Sequence, residues 1–192
     1  MGWELMGNKL RLGGNTIRDV AVELVRETGL GNLTINLLAE RLGVKPPSLY
    51  NHLSGIRELQ EKVAAFSLQS LEAAIRDAVV GKSGSEALLR LAEAYRKFAL
   101  ENSELYKSML MFPGSADPNV KEAGMAVARI IYQVLEGYGL SEEDQSHHAR
   151  GFRSLVHGFV SLEEVGFFKS GDRDKSFRLL VNGFISTLGA RQ

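Results

Sequence analysis

The stretch GVKPPSLYNHL, residues 43–53, places hydrogen-bonding side chains behind two consecutive prolines. Proline is tolerated in the first turn of a helix, where a backbone N–H has no partner inside the helix. The sequence therefore predicts a short helix over residues 46–52 that begins at Pro46 or Pro47. Its polar side chains are Ser48, Tyr50, Asn51 and His52. Tyr, His and Ser suit phosphate groups, and Asn and Ser can also bind base edges.

A second short helix precedes this one and explains how it could be held. Thr34 can cap the segment INLLAERL, which stops at Gly43. Its apolar face and the turn after it supply the residues for packing, namely Leu37, Leu38, Ala39, Leu42, Val44 and Leu49. Two short helices joined by such a turn are typical of a helix-turn-helix, which places its second helix in a DNA major groove. The alternative is that Tyr50 and His52 are half-buried residues at a helix end.

Nearly every other segment also predicts helix, because apolar residues recur at intervals of three and four. We predict an all-α fold of about nine helices, with Ser85, Asp117 and Ser141 as caps of the fifth, seventh and eighth. The fourth helix spans 55–80, the fifth ends near residue 101, the sixth lies within 102–112, and the ninth runs to about residue 188.

Composition limits the classes of protein to consider. The 192 residues are 44% hydrophobic and 24% charged, with no cysteine, which excludes disulfides, thiol catalysis and cysteine–zinc sites. No apolar run approaches the roughly 18–20 residues that span a bilayer, and the start lacks the apolar region of a signal peptide, so we expect a cytoplasmic protein. The net charge of zero argues mildly against a nucleic-acid binder.

Met6 offers a second start, which leaves open whether residues 1–8 belong to the native chain.

The segment LTINLLAERLGVKPPSLYNHLSGIRELQ resembles the helix-turn-helix of the TetR family of transcriptional repressors. The matching positions are Ala39, Gly43, Val44, Leu49, Tyr50, His52 and Leu59. The resemblance implies a DNA-binding domain at 1–60 and a ligand-binding and dimerisation domain at 61–192. It also implies a repressor that a small-molecule effector releases from double-stranded operator DNA. The segment RSLVHGFVSLE further resembles a subgroup with a His-Gly pair, here His157-Gly158.

The chain departs from the family pattern near the DNA-binding residues. Ile56 stands where the family commonly has a lysine that contacts phosphate, and the adjacent Arg57 can take over that contact. Lys45 replaces the usual Ser or Thr cap and adds a positive charge. The predicted DNA contacts are Thr34, Asn36, Lys45, Pro46, Ser48, Tyr50, Asn51, His52 and Arg57.

The last two helices carry wide apolar stripes. The eighth has Phe152, Leu155, Val156, Phe159 and Leu162, and the ninth has Phe177, Leu180, Val181, Phe184 and Leu188. An ordinary monomer core would explain these stripes. The resemblance implies instead a homodimer held by residues of about 141–188.

Aromatic and methionine side chains gather in the middle of the chain, and most of them suit a core. Methionine also suits adaptable binding surfaces, and the family binds small, often apolar effectors here. The residues predicted to line that pocket are Tyr106, Met109, Phe112, Met125 and His157. His157 would be its polar contact, although a packing role for this histidine is the simpler interpretation.

Catalysis is not predicted, and neither is a metal or a cofactor. The sequence has no HExxH, P-loop, GxSxG or dinucleotide fingerprint. The competing hypothesis is a helical ligand-binding or interaction protein that has lost DNA binding, which the neutral charge and Ile56 favour.

Overall fold

The computed structural model describes residues 13–189, and the question of a start at Met6 lies outside them. Nine α-helices fill this part of the chain, as the sequence predicts, and no strand occurs within it. They are α1 (Gly14–Thr28), α2 (Ile35–Leu42), α3 (Pro46–Leu49), α4 (Ile56–Val79), α5 (Gly84–Glu101), α6 (Ser103–Leu110), α7 (Pro118–Glu136), α8 (Glu142–Glu164) and α9 (Arg173–Gly189). A 3-10 turn, Leu30–Asn32, follows α1 and was not predicted.

The first three helices and the start of α4 enclose a small core of their own. Its fully buried members include Ile17, Leu24, Leu38, Leu49 and Leu59. Between α2 and α3 the chain turns at Gly43, whose φ of 66° is the left-handed conformation that glycine adopts without a Cβ penalty. The turn brings α3 against α2, so the predicted helix-turn-helix is present.

The predicted helix over 46–52 was wrong in its length. Only Pro46–Leu49 is α-helical, and residues 50–52 form a turn. The carbonyl of Leu49 accepts hydrogen bonds from the N–H groups of both His52 (2.8 Å) and Leu53 (2.9 Å), which ends the helix. A four-residue helix is about 6 Å long, so the element that could enter a groove is a helix followed by a turn.

The second core lies between α4 and the five helices that follow it. Helix α4 packs most extensively against α7 and then against α5 and α6. Among the larger side chains at its centre are Leu71, Leu88, Tyr95, Phe152 and Phe177. In the described residues, 13–189, no helix combines the length and the apolar character that crossing a membrane requires.

Three of the four predicted helix caps are confirmed. Thr34 accepts a hydrogen bond from the Leu37 N–H at 3.1 Å, and Ser141 accepts one from the Asp144 N–H at 3.1 Å. Asp117 accepts from two N–H groups at the start of α7. The prediction for Ser85 was wrong, because α5 begins two residues earlier, at Gly84, with Ser83 in the cap position.

The apolar stripes of α8 and α9 are only partly buried. Phe152, Val156 and Phe159 are buried, whereas Leu162 is exposed. In the stripe of α9, Leu180 is exposed, and the neighbouring Leu179 is exposed as well. Each helix therefore packs one edge of its stripe into the core and leaves the other edge uncovered.

One buried ion pair ties three helices together at the far end of this core. Arg96 of α5 donates two hydrogen bonds, both of 2.7 Å, to the carboxylate of Glu163 in α8, and a third of 2.8 Å to Asp174 in α9. Its guanidinium also lies over the rings of Phe159 (5.4 Å) and Phe177 (4.9 Å). Because removing one partner of a buried pair leaves an uncompensated charge, this contact fixes α5, α8 and α9 relative to one another.

Phe159→Ala should lower the free energy of unfolding by about 3–5 kcal/mol. The ring packs against Phe168 at 4.8 Å and against Phe177 at 5.0 Å, so its loss opens a cavity beside Arg96. Urea unfolding monitored by circular dichroism measures the effect. Tyr50→Ala is the matched control, since Tyr50 is 58% exposed and its loss should change stability by less than about 0.5 kcal/mol. Equal losses in the two variants would contradict the packing role of Phe159.

Candidate nucleic-acid interface and small-molecule site

The three residues after α3 form an exposed polar corner. Tyr50, Asn51 and His52 all face solvent, so the alternative that Tyr50 and His52 are half-buried is wrong. The adjacent Leu49 is fully buried and anchors the corner to the first core. A rigid base beneath exposed hydrogen-bonding groups is the arrangement that a groove-binding element requires.

The remaining predicted contacts on this side surround that corner. Asn36 and Lys45 are exposed, while Pro46 and Ser48 are half-buried. Thr34 is exposed, but its hydroxyl oxygen already serves as the α2 cap. Since Pro46 and Pro47 carry no N–H, the start of α3 offers no backbone donor from those two residues. Any anion held there must therefore bind side chains such as Lys45.

Arg57 lies at the start of α4, next to this corner. Its Nε is 3.5 Å from the Glu61 carboxylate, and its guanidinium is 5.8 Å from the centre of the Phe112 ring. The Arg57 side chain remains 76% exposed, so the guanidinium can still reach a phosphate. Ile56 is 38% exposed and adds an apolar spot where a lysine is usual in the family that the motif resembles.

The start of α4 is fixed independently of any ligand. The carboxylate of Glu58 accepts hydrogen bonds from the N–H (2.8 Å) and the hydroxyl (2.9 Å) of Ser54. The backbone bond from Ser54, more than the nearby Lys62, lowers the pKa of Glu58. This arrangement resembles a capping box and holds the corner at a set angle to α4.

The second candidate site is a polar contact inside the second core. The Tyr106 hydroxyl of α6 lies 2.6 Å from His157 Nδ1 of α8, and Tyr106 is 2% exposed. The Tyr95 ring contacts Tyr106 edge-on at 6.0 Å. Burial raises the pKa of both tyrosines, so both phenols stay protonated. Two of the predicted pocket residues, Tyr106 and His157, are thus in direct contact.

The other three predicted pocket residues lie in different surroundings. Met109 is buried on α6, one turn beyond Tyr106. Phe112 is half-buried in the segment after α6, beside Arg57. Met125 is 43% exposed on α7. Met109 therefore lies near Tyr106 on α6. Phe112 instead contacts Arg57 at the start of α4.

Helix α6 belongs to both cores. Leu105 is buried among the side chains of the first core, whereas Tyr106 and Met109 belong to the second. The Glu104 carboxylate accepts a 2.7 Å hydrogen bond from the Leu30 N–H, at the end of α1. Ser108 is hydrogen-bonded to Ser67 of α4 at 2.9 Å in the interior. A shift of α6 must therefore change contacts in both halves of the chain.

Sequence reasoning missed the residues that join the two halves. Glu104 and Leu30 are 74 positions apart, and Ser115, which donates a 3.0 Å hydrogen bond to Glu61, is 54 positions from it. Lys107 also bridges Glu104 and Glu164 at 2.8 Å each. The Glu104–Lys107 pair follows the local i, i+3 spacing of a helix, but no local pattern marks the three long-range pairs. A survey of polar residues on the short α6 would have found Glu104 and Lys107 but not Leu30 or Glu164.

Within residues 13–189, no group of three or more His, Cys, Asp or Glu side chains is placed to hold a metal ion. His157 is instead engaged by Tyr106. The arrangement offers hydrogen-bonding surfaces for ligands and for nucleic acid.

Two family models match the chain. The model described as bacterial regulatory proteins, tetR family, matches residues 17–63, which run from within α1 to the first part of α4. The model described as tetracyclin repressor-like, C-terminal domain, matches residues 88–184.

Individual relatives agree with these matches. The HTH-type transcriptional regulator YobS of Bacillus subtilis is 30% identical over 184 residues, which cover 95% of this chain and 96% of the relative. The tetracycline repressor protein class A from transposon 1721 of Escherichia coli is 29% identical over 170 residues, which cover 85% of this chain and 72% of the relative. The fold is shared with a solved protein from Rhodococcus sp. RHA1, with a TM-score of 0.79 and 24% identity over 95% of this chain and all (100%) of that one.

Glu104→Gln should destabilise the protein by about 1–2 kcal/mol at pH 7, since it weakens the bonds to Lys107 and Leu30. Those two bonds, with Lys107 the larger cause, lower the pKa of Glu104 below its ordinary value of 4.5. The stabilisation is therefore complete above about pH 4.5 and is lost as the pH falls through the lower pKa of the folded state. Urea unfolding at pH 7 and pH 3 should show a difference between wild type and variant that shrinks in acid.

Glu101→Gln is the matched control for this experiment. Glu101 is 61% exposed and its oxygen is 3.9 Å from Lys97, so its loss should change stability by less than about 0.5 kcal/mol at either pH. A pH-independent effect of Glu104→Gln would contradict a charged carboxylate as the link to Leu30.

Proposed function

We infer that this chain, which belongs to the TetR family of bacterial regulatory proteins, holds operator DNA with residues 1–60 and its effector with residues 61–192. The protein is a ligand-responsive, DNA-binding transcriptional repressor that acts as a homodimer. The main support for this division of roles is that α6 packs against both cores, so a change at the effector site can reach the DNA-binding part. Because operator DNA lies on the chromosome, the proposed function also implies a cytoplasmic location.

On the DNA side, we assign phosphate contacts to Tyr50, His52 and Arg57, and base contacts to Ser48 and Asn51. Thr34, Asn36, Lys45 and Pro46 complete the surface around them. The exposure of residues 50–52 above the buried Leu49 supports this division. Phosphate contacts set the register of a protein on the duplex, and base contacts select its sequence.

On the effector side, we propose a small, mainly apolar molecule that binds next to Tyr106 and His157. Met109, Phe112 and Met125 are the other candidate contacts. An effector that replaces the Tyr106–His157 hydrogen bond would shift α6 and, through Glu104 and Leu105, the end of α1. Because Arg57 and Glu61 contact the segment after α6, the start of α4 would move as well.

Effector binding would then favour a state whose two recognition elements no longer fit successive major grooves, roughly 34–36 Å apart. A ligand shifts such an equilibrium only by the difference between its affinities for the two states. Contacts that the effector makes only in the state where Tyr106 and His157 are apart would supply that difference. The competing function, a ligand-binding protein without DNA binding, is favoured only by Ile56 and the net charge of zero.

Alanine variants should separate the two classes of DNA contact. Tyr50→Ala and Arg57→Ala should weaken binding to an operator fragment and to a scrambled fragment alike. Asn51→Ala should reduce the preference for the operator by about 1–3 kcal/mol. Titration of labelled DNA from the flank of the protein's own gene, at several salt concentrations, measures both. Arg57→Ala should also lower the slope of log affinity against log salt by about 0.9.

Arg76→Ala is the matched control, because Arg76 is an exposed arginine at the other end of α4 and also pairs with a glutamate one turn away. It should leave affinity and salt slope unchanged. If Tyr50→Ala bound both fragments as tightly as wild type, the corner after α3 would not lie on DNA.

For the homodimer, we propose an interface within about residues 141–188. Exposed apolar side chains cluster there, namely Leu162, Val165, Phe167, Leu179 and Leu180. Exposed apolar side chains that gather in one region of the chain, when they form one patch, mark an interaction site. Small residues beside it, such as Gly158 with open space over its Cα, would let the partner's helices approach closely.

Light scattering at micromolar concentration should give about twice the chain mass of 21.1 kDa. Leu179→Glu should shift the protein to monomer at the same concentration, because it places a charge in the apolar interface. Val80→Glu, at a 71% exposed valine after α4, is the control that should stay dimeric. A monomeric wild type would refute the proposed interface. It would also refute the proposal that a dimer binds an operator with two half-sites.

A further inference from the structure

A surface cleft of about 280 Å³ lies beside the Tyr106–His157 contact. It is lined by Tyr95 of α5, Leu110 of α6, and Arg150, Arg153, Ser154 and His157 of α8. We propose that this cleft receives the anionic group of the effector, which is therefore a small organic acid with an apolar body. The proposal rests on the effector site proposed above and names its chemical class.

The first support is the charge of the cleft. Arg150 and Arg153 are exposed and three residues apart, so they share one face of α8. Neither lies within 4.0 Å of an Asp or Glu oxygen in the part of the chain that the structure describes. The segment 149–162 of α8 contains no acidic residue. Two guanidinium groups without a carboxylate partner can hold one anion through several hydrogen bonds.

The second support is the surroundings of the two arginines. Leu110 is 41% exposed and provides an apolar wall at the end of α6, followed by Met111, which is 48% exposed. His157 lines the cleft and is hydrogen-bonded to the buried Tyr106. A ligand with an acid group and an apolar body thus finds a cationic end, an apolar wall and a polar contact in one cleft.

The location also explains how such an anion could be detected. Arg153, His157 and Leu110 join α8 to α6 around the cleft, and α6 reaches the first core through Glu104 and Leu105. An anion held between the arginines and His157 can accept a hydrogen bond from a ring N–H of the same imidazole that Tyr106 contacts. Binding of the anion would then be coupled directly to the movement of α6.

A pair of fluorescent probes with the same aromatic skeleton tests the proposal. The anionic probe is 8-anilinonaphthalene-1-sulfonate, and the neutral one is N-phenyl-1-naphthylamine. The full-length wild type should bind the anionic probe at least about tenfold more tightly, as expected for charge-assisted hydrogen bonds. Arg150→Gln and Arg153→Gln should each weaken binding of the anionic probe by about tenfold and leave the neutral probe within about twofold.

Arg129→Gln is the control, because it removes the same charge from an exposed arginine on α7 that is paired with Glu122. It should change neither affinity. Equal affinities of wild type for the two probes would overturn the proposal, as would absence of binding or an anion preference that survives in the Arg150→Gln/Arg153→Gln double variant.

A mobility shift with operator DNA on the same preparations keeps this outcome separate from the proposed function. DNA binding without a preference for the anionic probe would refute only the proposal that the effector is an organic acid. An anion preference without DNA binding would refute the regulatory function and leave the ligand class standing.

Discussion

The position of α6 between two cores constrains everything else in the chain. In eight residues this helix must present Glu104 and Leu105 to the first core and Tyr106 and Met109 to the second. Adjacent residues on a helix point about 100° apart, so the two cores have to meet it from different sides. Helix α4 then packs beside α6 and is bonded to it through Ser67 and Ser108. The two halves cannot rearrange independently while these contacts last.

The exposed polar corner after α3 is shaped instead by interactions between residues that are close in the chain. Two prolines fix how α3 begins, and the Leu49 carbonyl, shared by two N–H groups, fixes where it ends. The Ser54–Glu58 contact then sets the start of α4. Each of these interactions lies within a few residues, so the corner is preorganised before it meets a ligand. A rigid contact surface loses less conformational entropy on binding.

That contrast explains what could be predicted from the sequence. The helix count and the caps at Thr34, Asp117 and Ser141 were predictable, because a cap and the N–H that it binds are neighbours in the chain. Predicting α3 as seven residues failed because the residue types at 50–52 do not distinguish a turn from a further turn of helix. Leu162 and Leu180 follow the apolar period yet lie outside, since periodicity does not say which part of a stripe a neighbour covers. The contacts of α6 span dozens of positions, which no local pattern records.

The brevity of α3 limits how much sequence information one copy can extract from DNA. A four-residue helix and a three-residue turn present few side chains to base edges, so one half-site contains few discriminating positions. A genome offers roughly 10⁶ or more competing sites, and short matches recur among them by chance. Two copies in a dimer require both matches at once and at a fixed distance. The spacing between half-sites therefore identifies the operator as much as the bases within each, and insertions between them should be under stronger selection than many single-base changes.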